Sequence, residues 1–393
     1  MTPPERPLVY LDHAATTPMW PEAVEAMAAQ MARTGNANSL HGSGRAARRV
    51  VEESRETVAR MIGARPGEVV FTSGGTEADN LALKGIYWSR RAEDPRRTRI
   101  LSTRVEHLAV LDPLDWLVTE AEAEVELLPV DEEGRVSVEA LTEAIERDPS
   151  SVALVSVMWA NNEVGTLQPI DDVVAVAHEH GIPVHTDAVQ AVGSVPVDFA
   201  ASGVDALTLT AHKIGGPYGV GALVVRRDRA VTPLLHGGGQ ERSIRSGTVD
   251  VPAIAGFAVA AELAVKEQPS SAPRLAALRD DLVRRVVSVV PDARLNGPAH
   301  DRLPGNAHLS FPGCEGDSLL MLLDHRGIEC STGSACSAGV PQPSHVLLAM
   351  GRDEAEARSS LRFSLGRTNT PSDIDALVEA IGPVVERARA AGR

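Results

Sequence analysis

The stretch Leu207-Thr-Leu-Thr-Ala-His-Lys-Ile-Gly-Gly-Pro-Tyr-Gly-Val-Gly-Ala-Leu223 decides how the rest of the chain is read. An apolar run with threonine at alternate positions leads to His212-Lys213. Gly215-Gly216-Pro217 turns the chain, and a second apolar run, Val220 to Val225, leaves the turn. Alternation followed by Gly/Pro punctuation predicts strand, turn, strand. Lys213 then sits on a rigid support among small residues. An enclosed lysine can lose its proton near neutral pH and become an amine nucleophile. The same pattern fits a surface hairpin whose lysine reaches out to water. What separates the two is whether the flanking sequence supplies an anion cradle, a buried carboxylate and a binder for a substrate carboxylate.

Immediately upstream, Ile182 to Thr186 reads as a strand ending on Asp187, followed by Ala188-Val189-Gln190. A carboxylate after a buried strand needs a partner, because burying an unpaired charge is costly. The partner is either a structural cation or the protonated nitrogen of a ring cofactor. Ser151 to Met158 is a near-continuous apolar run, as expected of a strand buried on both faces. It leads to Asn161-Asn162-Glu163, either a polar recognition element at a cleft or an Asn-rich turn. Arg99 to Ser102 is a further strand, and His107 follows it, as a helix-start residue or at the strand end where open α/β sheets place ligands. Glu68 to Thr72 is a strand, then Ser73-Gly74-Gly75-Thr76-Glu77-Ala78-Asp79-Asn80, then a helix over Leu81 to Arg91. Glycine N–H groups, a helix N-terminus and the Thr76 hydroxyl together suit a phosphate. A plain capped turn fits that stretch equally well. It is not the GxGxxG of a dinucleotide fold.

Strand and helix alternate through Leu223, which predicts an α/β fold with a mostly parallel, doubly wound sheet and a site along its strand ends. Thr76, Asn162, Asp187 and Lys213 come in that order, each on or after a predicted strand. Their conjunction favours a Schiff base to pyridoxal 5'-phosphate, with Asp187 on the pyridine nitrogen.

Downstream, Gly237 to Thr248 is a glycine-rich, charged loop that either covers the site or reaches a neighbouring subunit. Pro252 to Lys266 and Arg274 to Val290 read as helices. Glu267 to Pro273, with its Gln/Pro/Ser/Ser content, reads as a linker between domains. Cys336 lies in a run of small residues that cannot pack a core, which makes it a nucleophile candidate. Cys330 reads as buried at a strand end, with a Cys330–Cys336 disulfide as a minor alternative. Arg362 falls on a strand over Arg358 to Gly366, either a surface charge or a bidentate carboxylate binder.

The chain has 393 residues and a formal charge of -15, with no lysine- or arginine-rich run. That argues against a dedicated nucleic-acid surface. No apolar segment is long enough to span a bilayer, and the N-terminus has no signal-peptide core. The three cysteines, Cys314, Cys330 and Cys336, suggest free thiols in a reducing cytoplasm. CxxC-type metal spacing is absent, so no metal is expected.

Several motifs co-occur in order: Tyr10 to Pro18, Thr72-Ser-Gly-Gly-Thr-Glu77, Asn161-Asn-Glu163, Asp187-Ala-Val-Gln190, His212-Lys213, Gly237-Gly-Gly-Gln-Glu-Arg242, Ser334-Ala-Cys336 and Arg362 to Arg367. Together they resemble a cysteine desulfurase of the class V aminotransferase superfamily, over nearly the whole chain. The resemblance implies the type I fold of pyridoxal-phosphate transferases, with a large domain over 16–266. A smaller α+β domain, 1–15 and 267–393, carries the cysteine. It implies catalytic roles for Lys213 as the Schiff-base lysine, Cys336 as the sulfur acceptor and His107 on the ring. Gly75, Thr76, Thr210 and His212 bind the phosphate, with Thr248 reaching that of the other subunit in a homodimer. Gln190 contacts the ring hydroxyl, and Asn162 and Arg362 hold the carboxylate of L-cysteine. Sulfur leaves as a persulfide for an acceptor protein. A selenocysteine lyase, a cysteine-sulfinate desulfinase, a plain aminotransferase or a non-catalytic relay module on the same scaffold are the competing implications. The spacing from Cys336 to Pro343 and Gly351 resembles the long-loop group. Two departures stand out. Val189 replaces a frequent threonine, and the chain stops soon after its last helix, where iron–sulfur-assembly members carry a docking tail. Thiolation acceptors, tRNA thiolation among them, are therefore expected beside iron–sulfur assembly.

Overall fold

A computed structural model describes residues 8–333 and 342–391. Its strands, in chain order, are β1 Val9–Tyr10, β2 Val69–Thr72, β3 Arg99–Thr103, β4 Glu124–Leu128, β5 Val152–Ser156 and β6 Val184–Asp187. They continue with β7 Ala206–Thr210, β8 Gly221–Val225, β9 Arg294–Asn296, β10 Asn306–Ser310, β11 Ile328–Glu329 and β12 Ser360–Ser364.

Seven of these form a central sheet in the order β2-β8-β7-β6-β5-β3-β4. β8 runs antiparallel to both its neighbours, and the remaining pairs are parallel. Six strands therefore point the same way, and Thr72, Thr103, Ser156, Asp187 and Thr210 end at one edge. Successive side chains on a strand face opposite sides. Val69 and Phe71 thus enter one core, with the helices Gly42–Met61, Ile170–Glu179 and Val251–Val289, while Val70 enters the other, with Gly75–Glu93 and Leu108–Ala121. The doubly wound reading of the sequence holds.

A separate core surrounds the antiparallel sheet β12-β10-β9. It takes Val9 and Leu11 from the start of the described chain, Leu282 and Val286, Leu309, Phe363 and the last helix, Pro371–Ala391. β1 pairs in parallel with β11, and His13 N–H donates to the Ser364 carbonyl. The N-terminal segment therefore runs along this second core before it reaches the central sheet.

Two expectations need correction. The linker expected over Glu267 to Pro273 does not exist: Val251–Val289 is one helix of 39 residues that contains Pro269 and Pro273. A proline inside a helix costs about 3 kcal/mol or more. Here Ala253 to Ala258, Ala260 and Ala261 are buried at one end of the helix, and Leu282 and Val286 at the other. Packing into two cores outweighs the two local penalties. The helix expected from Leu81 instead starts at Gly75, so Thr76 to Asn80 form its first turns. Glu77 closes the turn by accepting from the Ser73 N–H (2.7 Å) while Arg245 Nε binds its other oxygen (2.7 Å).

Candidate active site

The strand ends open onto a cavity of about 630 Å³. Gly75, Thr76, His107, Asn162, Asp187, Gln190, Thr210, His212 and Lys213 all line it, so nine of the sequence-designated residues meet at one place.

Lys213 sits in a single 3-10 turn, Ala211–Ile214, between β7 and β8. Gly215 ends that turn with φ +80°, and a Cβ there would lie 2.6 Å from the Trp20 ring. The chain thus reverses tightly and aims the lysine inward. Lys213 Nζ donates to the carbonyls of Ala14 (2.5 Å) and Ala15 (2.8 Å). Burial, with Arg362 second, pulls its pKa from 10.5 down to about 8. Gln190 Nε2 donates to the same Ala14 carbonyl at 2.9 Å. These two backbone acceptors lie almost 200 residues upstream of the lysine, and nothing in the side-chain pattern announced them. Lys213 and Gln190 also border a neighbouring cavity of about 880 Å³, whose walls include Trp20 and Arg367.

Asp187 ends β6, and its Oδ1 accepts from the Val189 N–H at 2.8 Å. Burial raises its proton affinity, while the Val189 N–H and Lys213 oppose that. Opposite it, Gly75 and Thr76 form the N-terminus of the helix Gly75–Glu93, capped by Gly74 at φ +154°. A Cβ on Gly75 would lie 3.1 Å from Val189, and one on Gly221 only 2.8 Å from the backbone of Gly74. Both glycines let the helix N-terminus approach the cavity. Thr210 Oγ1 donates to the Val220 carbonyl at 3.3 Å. The His212 ring stacks on Tyr218 (5.8 Å, 23°), and its buried Nδ1 has no hydrogen-bond partner.

His107 answers both readings that the sequence left open. It caps the helix Leu108–Ala121, its Nδ1 accepting from the Ala109 N–H at 3.0 Å, and it also lines the cavity. That contact leaves the proton on Nε2. Burial, then Lys213, lowers its pKa to about 4, so the ring is neutral at pH 7.

Arg362 lies buried on β12. Nη1 donates to the Asn162 carbonyl (3.0 Å) and Nη2 pairs with Asp12 (2.8 Å), while Nε has no partner. A ligand carboxylate at this guanidinium has to compete with Asp12, a contact the sequence reading missed. Thr248 is exposed and does not line the cavity of its own chain. Cys336 lies outside the described residues. Cys314 and Cys330 are buried free thiols, and burial pushes the Cys330 thiol well above its ordinary range.

Residues 9–377 match the family model described as aminotransferase class-V, and the chain belongs to that family. It is 59% identical over 386 residues to an IscS-like cysteine desulfurase of Mycobacterium tuberculosis, covering 98% of each chain. Among solved structures, a NifS-like protein superposes with a TM-score of 0.90 at 37% identity, over 97% of this chain and 100% of the other. SspA in complex with cysteine gives a TM-score of 0.79 at 34% identity, over 91% of this chain and 98% of the other.

The cavity fits the pyridoxal phosphate on which this family depends. A helix N-terminus with glycine-thinned walls and an unpartnered His212 nitrogen suits its phosphate. A buried carboxylate suits its ring nitrogen, and an amine of lowered proton affinity suits its aldehyde.

Proposed function

We infer that the protein is a pyridoxal-phosphate-dependent cysteine desulfurase that converts L-cysteine to L-alanine and passes the sulfur to Cys336. One observation carries the reading. The half-buried Lys213 amine, the helix N-terminus at Gly75–Thr76 and the Asp187 carboxylate line a single cavity. The 59% identical relative bears the same activity in its name.

When bound, pyridoxal phosphate supplies an aldehyde for amines and a ring that accepts the electron pair left at a substrate's α carbon. Lys213 Nζ, its proton affinity lowered, is the amine that would hold the aldehyde. The same Nζ, when unprotonated, would take the α proton. Thr76, Thr210 and His212 would hold the phosphate and Gln190 the ring hydroxyl, and Asp187 would keep the ring nitrogen protonated. His107, with its proton on Nε2 and its side chain in the cavity wall, would pass a proton at the sulfur. Asn162 and Arg362 orient the substrate carboxylate. The Cys336 thiolate would attack the substrate sulfur as the C–S bond breaks; the proton that Cys336 gave up goes to the β carbon, and the α proton returns to the α carbon. L-Cysteine and the Cys336 thiol thus give L-alanine and a Cys336 persulfide, with no outside oxidant.

The same reading assigns residues 16–266 to a large domain and 1–15 with 267–393 to a small one. The boundary falls inside a continuous helix. It makes the enzyme a cytoplasmic homodimer in which Thr248 meets the partner's phosphate. The persulfide serves iron–sulfur assembly or thiolation, tRNA thiolation included.

The test is the visible absorbance of the purified protein, then sulfide and alanine together after L-cysteine and a reductant are added. Equal sulfide and alanine with a change in absorbance support the reading. Cys336→Ser should stop sulfide release and leave the starting absorbance intact; full retained activity in that variant would exclude the persulfide route.

A further inference from the structure

Asp79 lies three residues beyond Thr76 on the helix Gly75–Glu93, and its side chain forms part of the cavity wall, with 1% of the residue exposed. Its Oδ1 has no hydrogen-bond partner. The basic group closest to an ion pair with it is His185, whose Nε2 lies 3.6 Å away. That imidazole is entirely buried and neutral, its pKa driven down to about 3.

His185 and Asp187 are two residues apart on β6, so they share a face of the sheet, and Thr208 stands opposite Asp187 on β7. His185 Nε2 is 3.1 Å from Thr208 Oγ1, and Nδ1 is 2.9 Å from Ser156 Oγ. The Thr208 hydroxyl in turn meets the Asp79 carboxyl. Asp79, Thr208, His185 and Ser156 therefore form one buried column beside Asp187. The other ionisable groups facing it are Glu106, itself buried with Oε2 unpartnered, and Lys213.

Two neighbouring carboxyls away from water do not both ionise without a cation for each. Asp187 has the Val189 N–H at 2.8 Å and the attraction of Lys213. Asp79 has an orphaned oxygen and a neutral imidazole. We infer that Asp79 is held as the neutral acid of the pair, fixed by the Thr208–His185–Ser156 column, so that Asp187 alone carries the charge offered to the ring nitrogen. The hydrogen bonds close consistently: the acid donates to Thr208 Oγ1, Thr208 donates to His185 Nε2, and His185 Nδ1–H donates to Ser156. Burial first, then Asp187, raises the proton affinity of Asp79 well above the carboxylate range, outweighing the Thr208 hydroxyl, which favours the charged form when it is the donor. Asp79 is thus a positioning residue that works through Asp187. The inference rests on the pyridoxal-phosphate reading for its purpose, though not for the proton itself.

The experiment compares wild type with Asp79→Asn, a neutral isostere. Infrared difference spectra at neutral pH, taken with and without cofactor, read the carbonyl stretch of protonated carboxyls. Absorbance against pH reads the bound cofactor. Loss of one protonated-acid band in Asp79→Asn, with the absorbance midpoint moved by less than about 0.3 pH, supports the inference. An unchanged acid band, or a midpoint lowered by roughly 1 to 3 pH as when a neighbouring negative charge is removed, overturns it. Should the variant not fold, wild type with carboxyl-labelled aspartate answers the same question. One aspartic acid still protonated at about pH 7 supports the inference, and none overturns it. A wild type that never binds cofactor would refute the proposed function, while the infrared arm would still decide the state of Asp79.

Discussion

In the cofactor-free protein, Lys213 should take up pyridoxal phosphate at a rate that rises with pH and levels off above about 8. The cause is burial, with Arg362 adding to it and Asp12 and Asp187 opposing. An ordinary lysine has pKa 10.4 and leaves roughly 0.04% of its amine neutral at pH 7, whereas a value near 8 leaves roughly 10%. The reactive fraction is therefore a few hundred times larger, equivalent to about 3 kcal/mol. The sign for stability follows. The unfolded chain holds this proton up to about 10.4, and the folded chain only to about 8. Between those values the unfolded state binds more protons, so stability rises with pH across that window. Below about 8 the penalty of burying a protonated amine is present in full. The assay mixes cofactor-free protein with pyridoxal phosphate at a series of pH values and follows the visible absorbance, with Lys213→Ala as the blank. A rate still climbing tenfold per pH unit above about 9.5 would mean an ordinary, solvated lysine and refute the burial argument.

Three further outcomes follow from the geometry. Asp187→Asn leaves the buried ring nitrogen without its anion. Breaking one side of a buried pair costs about 3–5 kcal/mol, so cofactor affinity should fall by roughly two to four orders of magnitude in an absorbance titration. Gly221→Ala places a Cβ 2.8 Å from the backbone of both Gly74 and Leu209. Overpacking of this kind costs about 1–3 kcal/mol, and cofactor retention should drop about tenfold, whereas Gly42→Ala, with open space around it, should not alter retention. Glu241 accepts from Arg55 Nη1 and Nη2 at 2.7 Å each and from the Phe71 N–H at 2.8 Å, pinning the Gly237–Thr248 loop to β2. Glu241→Ala takes the bidentate partner from the buried guanidinium and leaves it only the exposed Glu52 and the Val69 carbonyl; a loss of about 3 kcal/mol should lower the thermal midpoint by on the order of 4 °C, with faster proteolysis in that loop, and an unchanged midpoint would mean that the pair contributes nothing net.

The parallel strands were legible as short apolar or alternating runs between turns, most clearly β5, which is buried along its whole length. The residues after them were legible as candidates for the same reason: a polar side chain at the end of a buried strand stands out. Thr76, His107, Asn162, Asp187 and Lys213 were singled out in this way, and they line one cavity. The helix through Pro269 and Pro273 was not legible. Local composition argued for a linker, and only burial at both ends, in two different cores, outweighs the prolines.

What the sequence determined by itself is the order of elements and the chemistry available at their ends, since both follow from local pattern and residue type. The tertiary structure decided the rest. It brought the Ala14 and Ala15 carbonyls onto Lys213, paired Arg362 with Asp12, and set Asp79 beside Asp187. These contacts join segments far apart in the chain. A backbone carbonyl looks the same at every position, and a carboxylate shows its partner only when burial removes the alternative of water.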